Sequence, residues 1–147
     1  SEQILHFDKY VSRDEPTEIN LSKVRAILPK NWKMYYSNTL GEFELLTLFE
    51  SYHETIHDAD TLAAGWDGCR FEAYKDKDNN LILLGSSAWD TEKDAQEFCT
   101  GFKTALNIAR YEQDFNVEQH NKRVDFVIGL TNKVMLDKIM SILHKSF

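Results

Sequence analysis

The chain has no long apolar run: its longest aliphatic stretch, Leu81-Ile82-Leu83-Leu84, is far too short to span a membrane. It also has few chain breakers, with two prolines and six glycines among 147 residues. Positive charge is scarce as well, because 24 acidic side chains outweigh 17 basic ones and the net charge is −7. The sequence therefore argues against low-complexity structure, membrane insertion and nucleic-acid binding, since an acidic surface repels phosphates.

Hydrophobic residues make up 42% of the chain and include nine Phe, six Tyr and three Trp. That content supports one domain with a core of its own. Residues 1–30 differ, because they hold both prolines and the polar stretch Ser12 to Glu18. We interpret them as an N-terminal arm with one short helix near Glu2–Tyr10, whose apolar residues predict packing across the domain as a strap. Residues 31–147 are predicted to form the single domain.

Periodicity predicts the order β-α-β-β-α-β-α in that domain. The fold class is α+β, a largely antiparallel sheet with helices packed on one face. We expect a helix from Thr39, where Thr39 and Glu42 have capping-box spacing, and another from Asp90, with a polar loop between Tyr111 and Lys122. Thr131 is expected to cap the last helix. The predicted strands are residues 32–36, 70–75, 81–89 and 123–130, with a hairpin turn at 76–80.

The two cysteines, Cys69 and Cys99, have no metal-binding spacing. We interpret them as small buried hydrophobic residues. A disulfide between them would require the strand from Arg70 to lie against the helix from Asp90 at the right depth. They do not identify the redox compartment, and the sequence leaves localisation open.

One string matches a metal motif: His53-Glu54-Thr55-Ile56-His57 has the H-E-x-x-H pattern. On a helix, His53 and His57 would share a face and could bind one zinc ion, with Glu54 as general base. Asp58 directly follows the second histidine, in a segment where the helix is expected to end. No motif identifies a third ligand among Glu72, Glu92 and Glu97. We therefore favour a chain without cofactor, and keep zinc as the alternative.

The segment Gly65-Trp66-Asp67-Gly68-Cys69-Arg70 places a tryptophan and an arginine around two glycines at the start of a strand. In one interpretation it is architectural: the glycines allow a turn, Trp66 closes the edge of the core and Arg70 pairs with a carboxylate. In the other, Trp66, Asp67 and Arg70 line a shallow binding pocket. Both interpretations remain open on sequence alone.

Two parts of the chain resemble a known family. Ser1–Tyr10 is similar to the segment STEQILHPEKY of uncharacterised gluzincin-like metallopeptidases. The segments beginning at Thr39 and Ala63, then Trp89-Asp90 and Asp94–Phe98, resemble the later pattern LGE, AAGWGGDR, WDS and DAxEF of the same proteins. The chain departs from that pattern at three positions, Phe7, Asp67 and Cys69.

In that family the zinc-binding helix lies upstream of the segment that resembles residues 1–10. The resemblance therefore implies a non-catalytic C-terminal domain with a binding or structural role, whose partner is an upstream catalytic domain or another protein. One alternative is a small zinc metallopeptidase that uses His53, Glu54 and His57. The other is a protein-interaction module that presents the Trp66 loop.

Overall fold

A computed structural model describes residues 2–13, 15–109 and 114–145. Its centre is a five-stranded antiparallel sheet with the strand order β1-β2-β3-β5-β4. The α+β class and the antiparallel sheet that the sequence predicts are confirmed. The strands are β1 (Lys33–Asn38), β2 (Trp66–Lys75), β3 (Leu81–Trp89), β4 (Phe115–His120) and β5 (Arg123–Ile128).

Seven helices flank the sheet in the described part of the chain, and none of them is long and apolar enough to cross a membrane. His6 has an extended backbone and divides the predicted arm helix into two. The helices are α1 (Glu2–Leu5), α2 (Phe7–Ser12), α3 (Ser22–Ile27), α4 (Glu42–Glu50), α5 (Ala59–Ala63), α6 (Glu92–Ile108) and α7 (Lys133–Lys145).

The β2–β3 hairpin forms because residues 76–80 supply a compact polar turn. The Asp76 carboxylate accepts hydrogen bonds from the backbone N–H groups of Asp78 and Asn80, at 2.8 and 2.9 Å. Asn79 adopts the left-handed conformation at φ +62°, which asparagine tolerates better than most residues. The predicted turn and the predicted strand over residues 81–89 are both confirmed.

Helices cover both faces of the sheet. On one face, α4, α5 and α6 enclose a first core with side chains such as Phe49, Ala63 and Phe98. On the other face, α3 and α7 enclose a second core that includes Val24 and Ile139. The sequence predicted helices on one face of the sheet. α4, α5 and α6 lie on one face, and α3 and α7 lie on the other. Both faces of the sheet are apolar because alternate residues of β3 and β5 point into different cores. The first core contains Leu83, Phe126 and Ile128, and the second contains Ile82, Leu84 and Val127.

Two helices, α4 and α7, are capped by residues other than the predicted ones. α4 begins at Glu42 rather than Thr39, and the Glu44 carboxylate accepts the Gly41 backbone N–H at 3.0 Å. For α7, Asn132 rather than Thr131 accepts a backbone hydrogen bond, from Met135 at 3.1 Å. α6 begins at Glu92, two residues after the predicted Asp90, and Thr91 and Asp94 form a reciprocal capping box before it.

The segment predicted as a polar loop between Tyr111 and Lys122 contains β4, an edge strand paired with β5. Only Val117 of this strand is fully buried, in the first core. Its other positions are polar or half-buried, so the apolar alternation that identifies a strand is too weak there to be recognised. Residues 110–113 lie outside the described residues.

The arm divides into two parts. Residues 16–28 cross the second face of the sheet and bury Ile19, Leu21 and Val24. The prediction of a packed strap is correct for this part. It is wrong for α1 and α2, where Ile4 and Phe7 are 89% and 75% exposed.

Candidate functional site

The site is built around the start of β2. Gly65 adopts a positive φ of +75°, which favours glycine and turns the chain from α5 into the strand. Trp66 follows and is only 4% exposed, so it closes the edge of the first core as the architectural interpretation expects. Its indole Nε1 has no hydrogen-bond partner among the described residues. The pairing of β2 with β3 is irregular between Trp66 and Gly68, with Asp67 as the extra residue.

Asp67 fastens the arm to the domain. Its carboxylate accepts the hydroxyl of Thr17 at 2.6 Å, and its backbone oxygen accepts the Thr17 N–H. These bonds hold residues 16–21 alongside β2 as a second wall. Asp67 was predicted to line the pocket but instead anchors that wall.

Between residues 16–21 and β2 lies a cleft with a volume of about 550 Å³, which we call the arm cleft. Trp66 and Arg70 both line it, so the structure brings together two of the three residues predicted for a pocket. Asp67 is absent from the lining. The remaining polar side chains of the lining come from both walls: Thr17, Glu18, Asn20 and Arg25 from the arm side, and Thr39, Cys69 and Glu72 from the domain.

Within the described part of the chain, Arg70 is a cleft-lining cation without an acidic partner. Its Nη2 donates to the Ser37 hydroxyl at 2.7 Å, and among the described residues no carboxylate forms an ion pair with it. The expected pairing of Arg70 with a carboxylate is therefore not found in the described part of the chain. A guanidinium has five N–H donors, so hydrogen-bonding capacity remains for a ligand.

Arg25 is the other arginine of the cleft, and its charge is neutralised by Glu72. The Glu72 carboxylate is 1% exposed and accepts hydrogen bonds from Arg25 and from the hydroxyl of Tyr74. Burial, reinforced by the Glu72 charge, raises the pKa of Tyr74 to about 12. Hydrogen bonding to Glu72 and Tyr74 raises the pKa of Arg25. This cluster is therefore a closed charge pair rather than an acid or base poised for proton transfer.

Arg25 and Glu72 were not predicted from the sequence as members of the site. The available signal was Glu72, a carboxylate in the middle of β2, whose residues alternate toward the two cores. A charge buried there needs a partner. No local spacing identifies that partner, because Arg25 lies 47 positions away on α3.

Cys69 lies in the lining of the cleft but is 6% exposed. Burial raises the pKa of its thiol to about 11, although a hydrogen bond with the Leu40 backbone lowers it in part. The thiol therefore stays protonated at neutral pH, and a protonated thiol is a poor nucleophile. Cys69 and Cys99 are both free and buried, so the disulfide considered from the sequence is absent and the buried interpretation is confirmed.

The H-E-x-x-H string does not lie on a helix. α4 ends at Glu50, and residues 51–55 form turns before an irregular segment that leads to α5. His53, Glu54 and His57 are all exposed, and the His53 ring contacts the Glu50 carbonyl oxygen at 3.3 Å. The shared helix face on which the zinc hypothesis depends is thus missing. Across residues 2–13, 15–109 and 114–145, no three His, Cys, Asp or Glu side chains are grouped as metal ligands.

A second buried polar cluster lies deeper in the sheet. Asp125 and Ser86 are 1% and 0% exposed, and the Ser86 hydroxyl donates to the Asp125 carboxylate at 2.6 Å. The Arg123 guanidinium donates to both of them, while burial lowers its pKa. The alternation of β5 indicated a partly polar face at Asp125, but α7 and the arm bury that face. The network joins β3 to β5 through side chains. Ser86 and Asp125 are too buried to contact a substrate.

Comparisons with known proteins give one family. No curated protein and no solved structure matches the chain, and nothing found links it to gluzincin-like metallopeptidases, so that resemblance stays a prediction. The model of a domain of unknown function, DUF8575, matches residues 33–139. This match covers the sheet, α4 to α6 and half of α7, and leaves the arm wall of the cleft outside. Because it spans most of the sequence, the chain belongs to the DUF8575 family.

Proposed function

We propose that this chain is a non-catalytic binding domain and that the arm cleft binds a small ligand through a carboxylate group. The observation that carries the proposal is Arg70, a cleft-lining arginine without an acidic partner in the described part of the chain. Arginine recognises carboxylates with two parallel hydrogen bonds, which are among the stronger polar contacts in proteins.

The other groups of the cleft fit binding better than catalysis. A general acid or base works best when its pKa lies near the working pH. Burial instead moves the pKa of the Cys69 thiol to about 11, and Tyr74 next to the cleft is raised to about 12. Glu72 is held by Arg25 and Tyr74. Thr17, Thr39 and Asn20 add neutral hydrogen-bonding groups that orient a ligand without reacting with it.

The zinc metallopeptidase hypothesis gains no support from this geometry, because its motif lies in exposed turns. A module that presents the Trp66 loop to a protein is also less favoured, since Trp66 is buried. A partner such as an upstream catalytic domain is compatible with a binding role. In that case the carboxylate ligand of the cleft would come from the partner.

Titration of the ¹⁵N-labelled chain with acetate and succinate, followed by NMR, tests the proposal. We expect saturable shifts of the backbone amides of Thr17 and Arg70, and no such shifts with the matched amides acetamide and succinamide. Arg70→Ala should weaken carboxylate binding by about tenfold or more, which corresponds to about 1.4 kcal/mol. Lys77→Ala is the matched control, because it removes the same charge from the exposed tip of the hairpin.

Two results would refute the proposal. One is a spectrum of the cleft residues that succinate leaves unchanged at every concentration. The other is equal carboxylate affinity for Arg70→Ala and Lys77→Ala, which would assign the binding to general surface charge.

A further inference from the structure

Helices α1 and α2 are attached to the domain by polar side chains and turn their apolar side chains outward. The His6 ring contacts the Glu42 carboxylate at 2.8 Å, and the Lys9 ammonium forms an ion pair with Asp90. The apolar side chains of the same two helices are exposed to solvent. These residues, which we call the arm surface, are Ile4, Leu5, Phe7, Tyr10 and Val11, with exposed fractions of 89%, 42%, 75%, 61% and 64%.

This orientation is the reverse of that in an ordinary surface helix, where the apolar stripe faces the core. Several large apolar side chains exposed together usually mark a binding surface. The two aromatic rings already contact each other, because Phe7 and Tyr10 stack with their centroids 6.1 Å apart. Exposure of this kind is typical of a surface that another molecule covers.

We propose that a second copy of this chain covers the arm surface, so that the protein forms a two-fold symmetric dimer through its arm. Charge supports this occupant. Residues 1–13 contain two acidic and two basic side chains, so the net charge of −7 resides entirely in the rest of the chain. Two copies that meet at their arms bring neutral surfaces together and keep their acidic domains apart.

The size of the arm surface also suits a self-complementary contact. A stable interface uses about 800 Å² from each partner, and a covered aromatic side chain contributes roughly 150–250 Å². Phe7 and Tyr10 are 75% and 61% exposed, so together with the three aliphatic side chains they supply a large share of that area. In a two-fold dimer the same patch is used twice, so one surface of this size is sufficient for both partners.

Sedimentation velocity over a range of concentrations tests the dimer. We expect the unmodified chain to sediment as a dimer, and Phe7→Ser/Val11→Ser to sediment as a monomer or to dimerise at least about tenfold more weakly. Both side chains are exposed, so these changes should leave the fold of the chain in place. Circular dichroism can verify this. The matched control is Val134→Ser on α7, which removes an equally apolar side chain that is 81% exposed and should preserve the dimer.

Two outcomes overturn the inference. A chain that remains monomeric at the highest soluble concentration would show that another molecule, or none, covers the arm surface. A dimer that survives Phe7→Ser/Val11→Ser as well as Val134→Ser would place the interface elsewhere.

Discussion

A β-carbon added to Gly68 would lie within 3.0 Å of the backbone carbonyl oxygen of Thr17. Gly68 has no positive φ, so space rather than backbone conformation demands a glycine at this position. The close approach allows residues 16–21 to lie against β2, and it thereby determines where the second wall of the arm cleft stands.

Gly68→Ala should push residues 16–21 away from β2, because its new methyl group meets a backbone atom that cannot rotate aside. We expect a loss of about 1–3 kcal/mol in the free energy of unfolding, as for other overpacked sites. The Thr17 amide should also exchange faster with solvent. Gly101→Ala is the matched control, since there the methyl group meets the flexible tip of Leu62. Retained protection of Thr17 in Gly68→Ala would contradict the expected displacement.

Trp66→Ala should reduce the free energy of unfolding by about 3–5 kcal/mol, the usual effect of truncating a large buried aromatic residue. Trp66→Phe should lose much less, because the indole N–H has no acceptor among the described residues and its removal breaks no hydrogen bond found there. Chemical denaturation of both variants provides the comparison. Equal losses in the two variants would contradict this expectation.

Removal of the two members of the Arg25–Glu72 pair should have unequal effects. Arg25→Met leaves the Glu72 charge buried, so we expect a loss of roughly 3–5 kcal/mol in stability. Glu72→Gln should lose less, since the Arg25 side chain is half exposed and its charge can turn toward water. The double variant should be more stable than Arg25→Met alone. Urea denaturation measures all three, and a larger loss for Glu72→Gln would reverse the assignment of the buried charge.

The raised pKa of Tyr74 predicts a loss of stability in alkali. Its pKa is about 12 in the folded chain against a reference value of 10.0, so the unfolded chain releases this proton first. The contribution of Tyr74 is therefore complete below pH 10 and is lost as the pH rises toward 12. A shift of this size is worth about 3 kcal/mol at most. Tyr74→Phe should show a flatter stability profile over this interval, and parallel profiles would contradict the shift.

We expect the purified chain to contain no stoichiometric zinc, because His53 and His57 lie in turns rather than on one helix face. Elemental analysis measures the zinc content directly. About one zinc ion per chain that disappears in His53→Ala and in His57→Ala would restore the metallopeptidase hypothesis. Zinc that persists in both variants would point to other ligands.

Local sequence signals predicted the elements that depend on their own residues. The hairpin turn at residues 76–80 and the cap that Thr91 provides for α6 follow from side chains that bind backbone groups a few positions away. The first capping box was misplaced, because Thr39 and Gly41 both precede an acidic residue at a suitable distance and only the structure selects Gly41.

The arm cleft could be predicted only in part, because its walls come from distant parts of the chain. Trp66 and Arg70 stood out by their residue types beside two glycines. Thr17 and Arg25 carry no such signal, since each acquires its role from a partner 50 or 47 positions away. For the H-E-x-x-H string the prediction failed for another reason. The spacing is present, but α4 ends at Glu50, before the helix could place both histidines on one face.

The two-sided sheet also predicts an order of folding. The second core is closed by α3, which lies near the beginning of the sequence, and by α7, the last helix of the chain. Contacts between segments so far apart form late, because a long loop must close before they can contribute. Because α3 precedes the strands and α7 follows them, we expect α3 to complete the second core only after α7 has been synthesised, whereas the hairpin and α6 can begin the first core sooner. The apolar residues of α3 that belong to the second core therefore lack their α7 neighbours until the end of that helix has been made.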